Sequence, residues 1–138
     1  MIRNSFLIII LAYYFCLSCE SDIQFTDFEG KHQKYDAYAS IRLEKNIFYG
    51  TYTIQYPDEK KDVGTIRGER LGDTLLGKYK YKSRNGDEKI VPIAFLYKND
   101  TLTRGKGIEK VYAQIPFYDP QTLIFADSLG KMIRVLIK

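Results

Sequence analysis

From Tyr35 onward, apolar and polar residues alternate with period two, and turn-forming residues interrupt the alternation roughly every ten positions. That pattern commits the chain to antiparallel β-structure. Successive side chains of a strand point to opposite faces, so one face can be buried while the other stays solvated. The spacing predicts strands near 35–43, 47–56, 63–70, 74–82, 88–97, 101–107, 122–126 and 131–137. In the second, Phe48, Tyr52, Ile54 and Tyr56 share one face. In the fourth, Leu75, Gly77, Tyr79 and Tyr81 share one face, and Lys78, Lys80 and Lys82 share the other. Ile90 to Tyr97 is apolar on both faces, and Pro92, with no N–H to donate, predicts an edge or a bulge there. Glycines such as Gly64, Gly68, Gly105 and Gly107 read as bends where a barrel curves. No long stretch has apolar spacing of three and four, so short helical turns are expected but no core helix. The fold class is therefore all-β, an antiparallel meander of about eight strands over residues 35–138.

A weak repeat runs through the meander. Asp73-Thr74-Leu75, Asp100-Thr101-Leu102 and Asp127-Ser128-Leu129 recur at intervals of 27 residues, and Asn46-Ile47 falls one interval upstream. Two strands and two turns account for that length. In a simple meander alternate turns lie at the same end, so these four tips are expected on one rim. The stretch from Ile108 to Gln121 complicates the count. With Val111, Tyr112, Ile115, Phe117 and Tyr118 it is too apolar for a bare loop, and a strand there would move Asp127 to the other rim.

The N-terminus has a different character. Arg3 precedes an apolar run from Phe6 to Leu17. This is the pattern of a secretory signal and is too short for a stable transmembrane helix. The run ends in Cys16-Leu17-Ser18-Cys19, followed by Glu20-Ser21-Asp22, and it resembles a bacterial lipoprotein box. The resemblance implies cleavage before Cys19 and diacylation of that cysteine. Cys16 follows Tyr14-Phe15, which are too bulky for such a cut. The expected organisation is a signal peptide at 1–18, a lipidated N-terminus and polar tether at 19–34, and a β domain at 35–138. Several acyl chains on one residue anchor stably, whereas a single chain is marginal. Cys16 would then leave with the signal and Cys19 would be capped. The mature domain would hold no disulfide, and its core must suffice alone.

Val63 to Ser83, with its Gly64-Thr-Ile-Arg-Gly68 and Gly72-Asp-Thr-Leu75 segments, combines with Val91-Pro-Ile-Ala-Phe-Leu96 and Leu102-Thr-Arg-Gly-Lys-Gly107. Together they resemble a group of small lipoproteins of the Bacteroidota, over roughly residues 47 to 107 plus the lipoprotein box. The group carries no assigned activity, so no functional residue follows from it. The implied address is the outer membrane, with the periplasmic and the surface-facing side both open. Glu20-Ser21-Asp22 weakly resembles the acidic export tags of surface lipoproteins. Asp-Ser/Thr followed by an aliphatic residue resembles the O-glycosylation acceptor of exported proteins in these bacteria. It makes Thr74, Thr101 and Ser128 candidate acceptors, although turn chemistry alone accounts for Asp-Thr entering a strand. The meander is also similar to calycin-like barrels, which implies a closed or partly open barrel, but Gly50-Thr51-Tyr52 replaces the lipocalin-type Gly-x-Trp.

Composition narrows the chemistry. The chain has 12 Tyr and 8 Phe but one His and two Cys, which leaves little for a metal site or a His-based catalytic group. His32 lies in the tether and reads as a solvated imidazole. Neither glycine-rich segment precedes a helix, so neither is a phosphate loop. The net charge of +4 falls to +3 without Arg3, too little and too dispersed to favour nucleic acid. In Lys78-Tyr79-Lys80-Tyr81-Lys82, alternation separates the tyrosines from the lysines, and export removes nucleic acid as a partner. No cofactor or metal is expected. The reading is a lipid-anchored, non-catalytic binding or interaction module whose partners are the membrane, through Cys19, and an envelope protein. The alternative is a calycin-like carrier of a small apolar ligand, with Tyr52, Tyr56, Tyr79 and Tyr81 lining its interior. Interior volume separates the two.

Overall fold

A computed structural model describes residues 24–136. The signal segment at 1–18 and Cys19 lie outside the described residues. Eleven strands follow in order: β1 (Thr26–Lys31), β2 (Asp36–Leu43), β3 (Ile47–Gln55), β4 (Lys61–Leu71), β5 (Thr74–Lys82), β6 (Glu88–Lys98), β7 (Thr101–Lys106), β8 (Glu109–Tyr112), β9 (Ile115–Tyr118), β10 (Ile124–Phe125) and β11 (Lys131–Arg134). Short 3₁₀ turns at Pro120–Thr122 and Asp127–Leu129 are the only helical pieces among the described residues.

Strands β1 to β7 pair antiparallel in sequence, and β11 closes the ring by pairing with both β7 and β1. The molecule is thus a closed, calycin-like barrel of eight strand positions. Closure removes the free edges that an open sheet would leave.

The expected number of strands holds, but through two changes that cancel. Residues 26–31 are a barrel strand rather than part of a tether, so the domain begins before residue 35. Phe28 is the single buried side chain of β1, while Asp27, Glu29 and Lys31 are exposed, which makes the strand read as polar lead-in. Gly30 lies where β11 passes so close that a Cβ would strike the Lys131 carbonyl. Conversely, the last two expected strands share one barrel position. β10 pairs with the lower end of β7 (Phe125 opposite Gly105) and β11 with its upper part (Lys131 opposite Thr103). Between them the Asp127–Leu129 turn bulges outward, stitched by Ala126 N–H to the Arg104 carbonyl and Arg104 N–H to the Gly130 carbonyl.

The repeat of 27 residues has a packing basis. Asn46, Asp73 and Asp100 occupy three turns on one rim, called here the upper rim. Their carbonyls accept from the N–H groups of Arg70, Tyr97 and Arg134, which extends each ladder into the turn. Two residues after each tip, Phe48, Leu75 and Leu102 point inward and are fully buried. Asp127 does not join them, because its turn lies partway down the barrel beside Arg104.

The apolar stretch at 108–121 forms the hairpin β8–β9 outside the barrel, with β9 lying against β6 and β5. This explains why β6 is apolar on both faces. Ile93 and Phe95 point inward; Pro92 and Ala94 point outward beneath the hairpin, and all four are buried. β7 covers β6 only from Phe95 to Lys98, so Pro92, opposite Lys78 of β5, has no barrel strand on its other side, as its missing N–H requires. The core comprises Phe28, Ile41, Phe48, Tyr52, Ile66, Leu75, Tyr79, Ile93, Phe95, Leu102 and Met132 with two alanines of β2. Gly68 and Gly77 face each other across β4 and β5. A Cβ on Gly77 would meet the Arg67 carbonyl and the Gly68 Cα, so these strands can cross this closely only without side chains there.

Candidate functional site

Polar and aromatic groups converge at the lower end, opposite the upper rim. Tyr52 of β3 and Tyr79 of β5 are buried and meet edge-on, with ring centroids 5.0 Å apart. Tyr81, two residues on and on the same face, stacks on Tyr79 at 4.4 Å. Tyr52 also meets Phe95 at 5.7 Å. The Tyr79 hydroxyl donates toward two carbonyls, those of Tyr52 at 3.0 Å and Asp62 at 3.3 Å. Burial pushes the pKa values of Tyr52, Tyr79 and Tyr81 above the ordinary phenol value. At Tyr52 the Arg104 guanidinium opposes that rise.

Tyr56 stands apart from this stack and joins the cluster through Asp62. Its hydroxyl donates to Asp62 Oδ2 at 2.8 Å, and the Arg84 backbone N–H donates to Oδ1 at 2.7 Å. The Arg84 guanidinium lies 4.6 Å from the Tyr56 ring centroid, within cation–π reach. Burial, then the Asp62 carboxylate, pushes the Tyr56 hydroxyl up to about 12. Arg104 points into the barrel and donates to Tyr52 Oη at 3.3 Å. The structure therefore brings Tyr52, Tyr79 and Tyr81 into one aromatic cluster, with Tyr56 at its margin.

Sequence reasoning missed Asp62, Arg84 and Arg104. The signal for two of them was present. Arg104 shares the inward alternation of Leu102, and Asp62 that of Gly64 and Ile66, but a strand starting at 63 left Asp62 outside. Arg84 acts through its backbone and a loop-borne ring contact, for which alternation gives no sign. His32 is not freely solvated. It stacks on Tyr35 at 4.7 Å in the β1–β2 turn, and its buried Nδ1 has no protein partner.

The four tyrosines do not enclose a ligand-sized space. The enclosed void beside them, lined by His32, Tyr35, Tyr52, Phe95, Arg104 and Met132 among others, measures about 10 Å³. That is room for about one water. Larger hollows are open: one of about 270 Å³ lies at the lower end between His32, Tyr35, Tyr56 and Pro57, and others are grooves on the outer surface. One of about 490 Å³ lies over β3 and β4, between Phe25, Ile47, Tyr49 and Arg67.

The candidate acceptors are spread out. Thr74 and Thr101 open β5 and β7 on the upper rim and are half-buried, whereas Ser128 is exposed on the mid-barrel bulge. The hairpin carries the densest outward apolar display: Val111, Tyr112, Ile115 and Phe117 are all exposed, Tyr112 at 78%. The Lys110 ammonium pairs with Asp119 at 2.9 Å and tethers the hairpin to the following turn. Together with the Gln121 N–H, this contact lowers the Asp119 carboxyl below its usual range. No protein family, curated protein or solved structure matches the chain.

Proposed function

We propose that the protein is a lipid-anchored module of the bacterial outer membrane, held through Cys19, that binds a partner protein with its outer surface and is not an enzyme. The filled interior carries this reading. A carrier of a small apolar ligand needs a cavity of about 300 Å³ or more, and the void inside the barrel, which Tyr52 alone of the four candidate tyrosines lines, is about 10 Å³. Recognition therefore moves to the outside, where the β8–β9 hairpin presents Val111, Tyr112, Ile115 and Phe117 to solvent. Aromatic side chains displayed in this way are the usual anchors of protein interfaces. The absence of catalysis is supported by the placement of the single histidine, stacked on Tyr35 rather than set against a nucleophile.

A photo-crosslinking residue at Tyr112, in the native host, is expected to capture a discrete envelope protein, while the same residue at Lys80 is not. Equal labelling at both positions would defeat the hairpin as the contact face. Saturable uptake of an apolar fluorophore, abolished by Tyr79→Phe, would restore the carrier. Palmitate labelling that persists in Cys19→Ala would remove the anchor.

A further inference from the structure

We propose that the upper rim lies on the bilayer, with Phe25, Ile47 and Leu71 set into the headgroup region. The inference rests on the anchoring of Cys19 and adds an orientation to it.

Cys19 precedes Phe25 by six residues, which span at most about 20 Å when fully extended. The chain enters β1 at Thr26, opposite Ile41, on the same rim as the Asn46, Asp73 and Asp100 turns. β4 alone represents roughly 36 Å of strand. An upright barrel tethered this closely meets the membrane with its upper rim, and its lower end stays out of reach.

The rim has the surface that such a position needs. Phe25 is 46% exposed and packs edge-on against Tyr49 on the outer face of β3, ring centroids 5.9 Å apart. Ile47 and Leu71 also point outward, at 41% and 54% exposure. Ile47 lies opposite Glu69, two residues before Leu71, so the three form one ridge on the outer face of β3 and β4. The turns beneath the ridge are held in place. The Arg70 guanidinium donates to the carbonyls of Glu44 and Gly72, locking the β2–β3 and β4–β5 turns together. Lys45, on the β2–β3 turn, and Lys98, the last residue of β6, carry positive charge on the same rim, beside Glu44, Asp73 and Asp100. Three apolar side chains partition only weakly by themselves. A covalent anchor makes their contact intramolecular, so weak partitioning is enough to orient the barrel.

The test uses the full chain acylated in a bacterial host and reconstituted into phosphatidylethanolamine–phosphatidylglycerol vesicles. Leu71→Cys and Asn85→Cys, at opposite ends, are each labelled with an environment-sensitive fluorophore, the thiol of Cys19 being capped by lipid. Bromine-labelled acyl chains are expected to quench the Leu71 probe severalfold more than the Asn85 probe. Vesicle-bound protein with both probes equally quenched, or with Asn85 quenched more, would overturn the orientation while leaving the anchor intact. Protein that fails to float with the vesicles would overturn the anchor and the orientation with it. Crosslinking of Leu71 to a second copy, or glycans on Thr74 and Thr101 in native material, would assign the rim to something other than lipid.

Discussion

Asp62 holds the lower end together with one carboxylate. It satisfies the Tyr56 hydroxyl and the Arg84 N–H with its side chain, and its carbonyl serves Tyr79. Asp62→Ala strands two of those donors and is expected to cost about 1–3 kcal/mol in thermal or urea unfolding. The tyrosines add a pH dependence of definite sign. Their folded-state values lie above the unfolded value of 10.0, so the folded chain holds its phenolic protons more tightly. Their contribution is fully present below pH 10.0 and is lost as pH rises; for Tyr56 the loss runs from there through about 12. Phenolate absorbance should report late ionisation coupled to unfolding, and Tyr56→Phe should flatten part of the alkaline decline. A decline of equal slope in Tyr56→Phe would assign the effect to the other tyrosines. The inward placement of Tyr52, Tyr79 and Tyr81 was legible from alternation. Alternation also turned Arg104 and Asp62 inward, but which tyrosine each serves was not legible, because hydrogen bonds across 17 to 52 positions of sequence leave no local trace.

The β8–β9 hairpin is the least comfortable element. Its two-residue turn places Ala113 at φ 49° and Gln114 at φ 65°, a left-handed pair without glycine. Primed turns of this kind favour Asn-Gly, because side chains in that region cost roughly 1–2 kcal/mol each. The double variant Ala113→Asn, Gln114→Gly is expected to slow proteolysis within the hairpin with little change in the barrel's own melting. An unchanged cleavage rate would mean that the turn does not limit hairpin opening. The β6–β7 turn has the same geometry at Asn99 and Asp100, residue types that tolerate it. From composition, 108–121 showed only that it must be covered or must cover something. That it shields Pro92 and Ala94 follows from how far β7 reaches along β6, which no periodicity encodes.

For the molecule as a whole, the meander from β2 to β7 matched its expected boundaries to within two residues, because alternation is strong wherever one face is buried. Which strands make the closure was the illegible part. β1 offers one buried aromatic among charged neighbours, and the eighth position is broken by the Asp127–Leu129 bulge. Phe28 meets Tyr97 edge-on at 5.8 Å, across the seam from β1 to β6. Phe28→Ala is expected to cost about 3–5 kcal/mol and to expose the seam to hydrogen exchange ahead of β3–β5. Uniform exchange across the barrel would indicate that the seam is no weaker than the rest.

That β1 pairs with β11 has a consequence for the order of events in making the protein. A chain made N-terminus first presents β1 long before its partner has emerged, and the barrel cannot close until β11 has been delivered. Contacts this distant in sequence form late. In the interval β1 is an unpaired edge, and unpaired edges recruit other chains unless charge keeps them apart. Asp27, Glu29 and Lys31, which disguised the strand as a tether, are the residues suited to that wait.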